Sequence, residues 1–167
     1  MTQTLTGPGQ ELIDRAKQNV AAARDQLLTT FSFVPDDKLN WSPSPSARTP
    51  LQIAAHCGSA TATFAGLLRG EPWPLAPTAA EAAAQIRERD AKGCTREEAI
   101  QSIDASSKSL LAALEQATPE ILGSTIWTAF GEFPYAFAVT FPAEHISGHA
   151  RQIDYLQTIW GDIQDHH

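Results

Sequence analysis

Cysteine is nearly missing from this chain, with only Cys57 and Cys94 among 167 residues. They form no CxxC motif and no disulfide framework, so reduced thiols in a cytoplasmic protein are the expectation. Basic residues are also sparse, 12 Lys and Arg against 19 Asp and Glu, and no basic block relieves the net charge of −7. Phosphate backbones and anionic lipid surfaces demand clustered Lys and Arg, which argues against nucleic acid or a membrane as partner. No apolar run reaches the ~18 residues of a membrane span. The opening MTQTLTGPGQELID has no charged segment followed by an apolar one, so no signal peptide is expected. Runs of β-branched residues are scarce while alanine is frequent, and helix is favoured over sheet.

What remains is a globular composition, 43% hydrophobic and 19% charged, in a length that suits one domain spanning 1–167. Four long helical patterns stand out. The first covers roughly 10–31, where Ile13, Ala16, Val20, Ala23, Leu27 and Phe31 recur at three- and four-residue steps. The second opens on Thr49-Pro50-Leu51-Gln52, an N-cap, an N1 proline and a capping-box glutamine, and closes at Gly70. A long connection follows, with a short amphipathic helix over 78–92. Thr95 to Glu98 is a second capping box that launches the third long helix, which ends before Pro119. The last begins either near Pro134, with a kink at Pro142, or at Thr140, and runs to about Trp160 before Gly161. These patterns predict an all-α four-helix bundle with one long crossover between the second and third helices.

The last helix carries AEHISGHARQ, with His145 and His149 four residues apart and therefore stacked on one face. The stripe beside them, Ile146, Ile153 and Trp160, is apolar, so the pair looks into the bundle; Gly148 leaves room for a close neighbour. Two imidazoles at this spacing can chelate one divalent ion. The pair is no zincin motif, because Ile146 stands where HEXXH requires glutamate. His56 points inward from the second helix, whereas His166 and His167 lie at a frayed C-terminus. Three histidines on helices favour a metal site over the alternative, hydrogen-bonded core imidazoles. Cys57 is turned about 100° from His56 and reads as packing. Gln152, one turn past His149, is placed either to orient a ligand or to bond backbone. Glu144, Arg151 and Asp154 read as solvated surface charges.

Two stretches resemble the DinB-like (DinB/YfiT) superfamily. Pro35-Asp36-Asp37-Lys38-Leu39-Asn40-Trp41-Ser42-Pro43, followed by Thr49 to His56, is similar to that family's acidic lead-in to a ligand-bearing second helix. His145 to Leu156 is similar to its H-x3-H-x-x-Q-x-x-x-L fourth helix, although GHARQ replaces the HHxGQ of many members. The resemblance implies a four-helix bundle in which His56, His145 and His149 ligate a divalent transition metal such as zinc, nickel or iron. Three neutral imidazoles leave an open coordination position, which suits catalysis better than structure. An ion held that way lowers the pKa of bound water toward ~7 or stabilises a thiolate, so hydrolysis and thiol transfer are both within reach. The family's characterised members point to the second, a metal-dependent S-transferase that joins a thiol of the bacillithiol, mycothiol or glutathione type to a small electrophile. The rival expectation is a stress-associated bundle that binds metal without turnover. A third is an interaction module, such as a homodimer.

Overall fold

A computed structural model describes residues 5–166; His167 and the first four residues of the N-terminal stretch lie outside them. In chain order the elements are α1 (Pro8–Ser32), α2 (Pro50–Leu68), α3 (Ala79–Asp90), α4 (Arg96–Glu115), α5 (Pro119–Leu122), β1 (Thr125–Thr128), β2 (Gly131–Pro134), α6 (Tyr135–Ala138) and α7 (Phe141–Ile159). The bundle consists of α1, α2, α4 and α7, and the crossover between its second and third members carries α3. Among the described residues no helix is long and apolar enough to cross a membrane.

Local chemistry sets the helix ends. Thr49 accepts from the Gln52 backbone N–H at 3.2 Å while the Gln52 side chain accepts from the Thr49 N–H at 3.0 Å. Thr95 and Glu98 repeat the arrangement at the start of α4. Each box satisfies two backbone donors that the helix leaves unpaired. Gly70 takes φ 82° just past α2, a left-handed conformation that glycine adopts without a Cβ penalty. Pro142 falls in the first turn of α7 and not in its interior, so the helix begins at Phe141 and has no proline kink. The carbonyls at the end of α1 are met from another helix, because the Arg96 guanidinium donates to Phe31 O and Val34 O.

Ile13, Val20, Leu27 and Phe31 of α1 are buried against Ile53 of α2, Ile103 and Leu110 of α4, and Ile146 and Ile153 of α7. Contact is most extensive between α2 and α4 and between α1 and α7; α1 also packs on α4, and α2 on α7. The first two helices scarcely touch, so they stand on opposite sides of the bundle. That arrangement lays α7 directly along α2. Among the described residues the hairpin β1–β2 is the one departure from an all-helical chain, pairing Thr125 with Pro134 through Thr128 with Gly131.

Close approach of α2 and α4 depends on Gly58. A Cβ there would lie 2.9 Å from Ser102 Cβ and 3.1 Å from the Ser102 carbonyl carbon. Alanine is the better helix former by about 0.8–1.0 kcal/mol, but overpacking a tight contact costs about 1–3 kcal/mol. Gly58→Ala is therefore expected to lower the urea midpoint at unchanged m-value. A higher midpoint would show that the two helices separate freely.

Candidate metal centre

His56 and the pair on α7 come together where α2 lies along α7. Ligand-capable atoms of His56, His145 and His149 all fall within 4.8 Å of one another. The Nε2 atoms of His56 and His145 are 3.3 Å apart. Two nitrogens bound tetrahedrally to one ion at ~2.0–2.1 Å would be separated by about the same distance. The ring of His149 lies 4.8 Å from that of His56 and 4.5 Å from that of His145, centroid to centroid.

Hydrogen bonds behind the rings assign their tautomers. His56 Nδ1 lies 3.1 Å and 3.4 Å from the two carboxylate oxygens of Asp90. An ionised carboxylate only accepts, so Nδ1 carries the proton and Nε2 presents a lone pair. His149 Nδ1 sits 2.8 Å from Gln152 Oε1, which likewise frees its Nε2. Both partners orient the rings as outer-shell groups orient metal-bound histidines. His145 Nδ1 is buried and has no hydrogen-bond partner among the described residues. Convergent lone pairs with an orphaned ring nitrogen beside them are chemistry that a cation completes.

Asp90 ends α3, where the helix dipole disfavours a carboxylate. Its side chain is only 5% exposed and receives Arg48 Nε and an Arg48 terminal nitrogen, each at 2.9 Å. Burial raises its pKa, but the His56 hydrogen bond and the charges of His56 and Arg48 outweigh burial and hold it below the ordinary value. Neither Asp90 nor Arg48 was among the sequence candidates. Nothing local marks them, because each lies in a connection whose path depends on the assembled bundle.

Burial, then the nearby His149, His56 and Arg48, depress His145 from 6.5 to about 3. Burial also lowers His149, against the opposing hydrogen bond that its Nδ1 donates to Gln152. At neutral pH both imidazoles are therefore uncharged and ready to ligate. The same shifts predict acid sensitivity of metal-free protein. Below pH 6.5 the unfolded chain takes up protons that folded His145 refuses until about pH 3, so stability falls as pH falls across that window. The expected loss from this group alone is about 2 kcal/mol at pH 5. Urea unfolding of chelator-treated protein at pH 7.5 and 5 checks it, and His145→Phe should flatten the dependence.

Two concavities lie near the cluster and share Arg48 and Arg87 in their walls. A cavity of about 440 Å³ opens beside His56 and His145, walled by Phe64, Trp73, Phe130, Phe133, Phe137 and Phe141. Ring contacts at four-residue steps link Phe133, Phe137, Phe141, His145 and His149 in one ladder. That spacing stands in the sequence and would have flagged the phenylalanines. On the other side, a groove of about 590 Å³ is lined by Arg48, Arg87, Arg151, Gln152 and Tyr155. Gly148 lines it too, with open space where a Cβ would project, so no helix approaches there as its position suggested.

Cys57 is 1% exposed and burial pushes its thiol up to about 12, which agrees with packing. Glu144 and Arg151 are exposed, as expected. His166 is not frayed: it is buried, stacks 4.1 Å from Phe33 and lies 2.8 Å from Asp162.

The fold has counterparts among solved structures. A solved DinB-like protein from Bacillus subtilis superposes with a TM-score of 0.63 at 13% identity, covering 90% of this chain and 94% of its own. The mycothiol-dependent maleylpyruvate isomerase superposes with a TM-score of 0.65 at 12% identity, covering 89% of this chain but 63% of that one. At such identities the likeness shows a shared fold. No curated protein sequence matches. The family model of the DinB superfamily matches residues 19–153, which takes in all three histidines. On that match the chain belongs to the DinB superfamily.

Proposed function

We propose that this protein is a divalent-metal-dependent thiol S-transferase in which His56, His145 and His149 hold the ion. The observation that carries this reading is the convergence of three imidazoles, without a carboxylate or thiolate among them, at the edge of an apolar cavity lined by His56 and His145. Proteins of the superfamily bind divalent metals, and a mycothiol-dependent enzyme shares the fold. Zinc, nickel and iron all suit imidazole ligands.

A bound divalent ion supplies a Lewis acid that favours the thiolate of a low-molecular-weight thiol. The protein's residues do the rest. Asp90 and Gln152 keep the Nδ1 protons of His56 and His149 in place, so both rings face the same point. Arg87 and Arg151 give the groove the charge to bind a polar, anionic thiol. The aromatic cavity holds the electrophile and excludes water from it. In the transfer a sulfur–carbon bond forms, the leaving group departs with its bonding pair, and the thiol proton passes to solvent.

The test is thiol consumption by tag-free, metal-loaded protein supplied with glutathione, bacillithiol or mycothiol and alkylating electrophiles. Turnover that disappears with chelator and in His149→Ala supports the reading. Bound metal without thiol consumption would make the protein a passive, stress-associated metal binder.

A further inference from the structure

The wall of the aromatic cavity is more selective than its apolar lining suggests. Apart from the two histidines, its neutral side-chain donors are occupied within the protein: Trp73 Nε1 donates to Ala76 O, Thr63 Oγ1 to Ser59 O and Thr128 Oγ1 to Gly131 O. Aromatic faces are what they leave toward the interior. The charged groups on the wall are Arg48, Arg87 and Arg89, with no aspartate or glutamate among the lining residues.

These arginines differ in their commitments. Arg48 is spent on Asp90. Arg89 makes no hydrogen bond among the described residues; its Nε is closed off from water and lies 3.8 Å from Asp90 Oδ1, too far to donate. Its side chain is only 33% exposed. Arg87 has no ion pair among the described residues and borders both the cavity and the groove. An Nε–H shut away from water without an acceptor, as at Arg89, is an unfavourable arrangement that an incoming oxyanion relieves. In a chain of net charge −7, Arg87 and Arg89 beside an aromatic cavity are a local reversal of sign.

We infer that the cavity binds an amphipathic monoanion, an aromatic or aliphatic carboxylate whose apolar body lies among the phenylalanines and whose head group meets Arg89 and Arg87. A volume of about 440 Å³ is within the usual range for a small-molecule pocket. The inference names the second substrate of the proposed transferase and rests on that reading for the reaction, but the binding itself requires no turnover.

Calorimetric titration tests it with three probes that share one apolar body: phenylbutyrate, phenylbutanol and phenylbutylamine. Each is titrated into metal-loaded and into chelator-treated protein. Phenylbutyrate is expected to bind about tenfold more tightly than the alcohol, the effect of one charge-assisted hydrogen bond, with the amine weakest. The double variant Arg87→Ala/Arg89→Met, which keeps the apolar stem of Arg89, should reduce the acid to the affinity of the alcohol and leave the alcohol unchanged. Ala83→Trp, which fills the cavity from α3, should abolish binding of all three. Equal affinity of acid and alcohol, or an acid affinity unchanged in the double variant, would overturn the inference. So would binding of the acid only when metal is present, since the ion and not the arginines would then hold the carboxylate. Binding without thiol turnover would remove only the transferase reading; turnover without acid binding would remove only this one.

Discussion

Tag-free protein is expected to carry about one divalent ion per chain, and His145→Phe to carry none. Phenylalanine is a discriminating replacement here. His145 already stacks within an aromatic run, 5.4 Å from Phe64 and 6.0 Å from Phe141. A benzene ring continues that run while removing the nitrogen that lies 3.3 Å from His56 Nε2. It also removes the orphaned Nδ1, whose desolvation nothing repays in metal-free protein. Metal-free His145→Phe should therefore be as stable as the metal-free parent or more so, which separates loss of a ligand from loss of the fold. Elemental analysis after reloading and desalting reads the first quantity, and urea unfolding the second. Full metal content in the variant would make the three histidines core residues and end the transferase reading.

The second large effect is expected at Asp90. Asp90→Asn preserves shape and can still accept from His56, but it no longer neutralises Arg48 or strengthens the ring as a donor to an ion. Losing such an outer-shell partner typically costs about 10–100-fold in metal affinity. Competition against a chromophoric chelator should show a fall of that size with stoichiometry retained. Asp90→Ala should add a stability loss, because Arg48 then loses its charge partner in a half-buried position; breaking a buried pair costs about 3–5 kcal/mol, and the exposure of Arg48 places this case below that range. Unchanged affinity in Asp90→Asn would reduce the residue to a structural tie between α3 and the bundle.

Much of this protein is local and therefore legible. The capping boxes at Thr49 and Thr95, the periodic apolar face of α1 and the inward turn of His56 all depend on residues within one or two helical turns. The hairpin escaped notice because its strands are four residues each, too short for alternation to register, and Ala129-Phe130 is not a turn pair of the Asn-Gly kind. The start of α7 was ambiguous because proline is compatible both with a first turn and with a kink.

By itself the sequence determined four long helices, the capping boxes of the second and third, and a histidine face on the last. These follow from backbone hydrogen bonding and from side-chain spacing along a single helix. Only the tertiary structure decided that α1 and α2 stand apart while α2 and α7 lie together, which brings three imidazoles to one point. It alone brought Asp90 behind His56 across 34 residues of chain, and Arg87 and Arg89 to the wall of the aromatic cavity. Such placements depend on how amphipathic helices share a core, and many packings of the same four faces bury comparable apolar area. Burial is nearly indifferent among those packings, so which side chains meet is decided by loop paths and by close contacts such as Gly58 with Ser102.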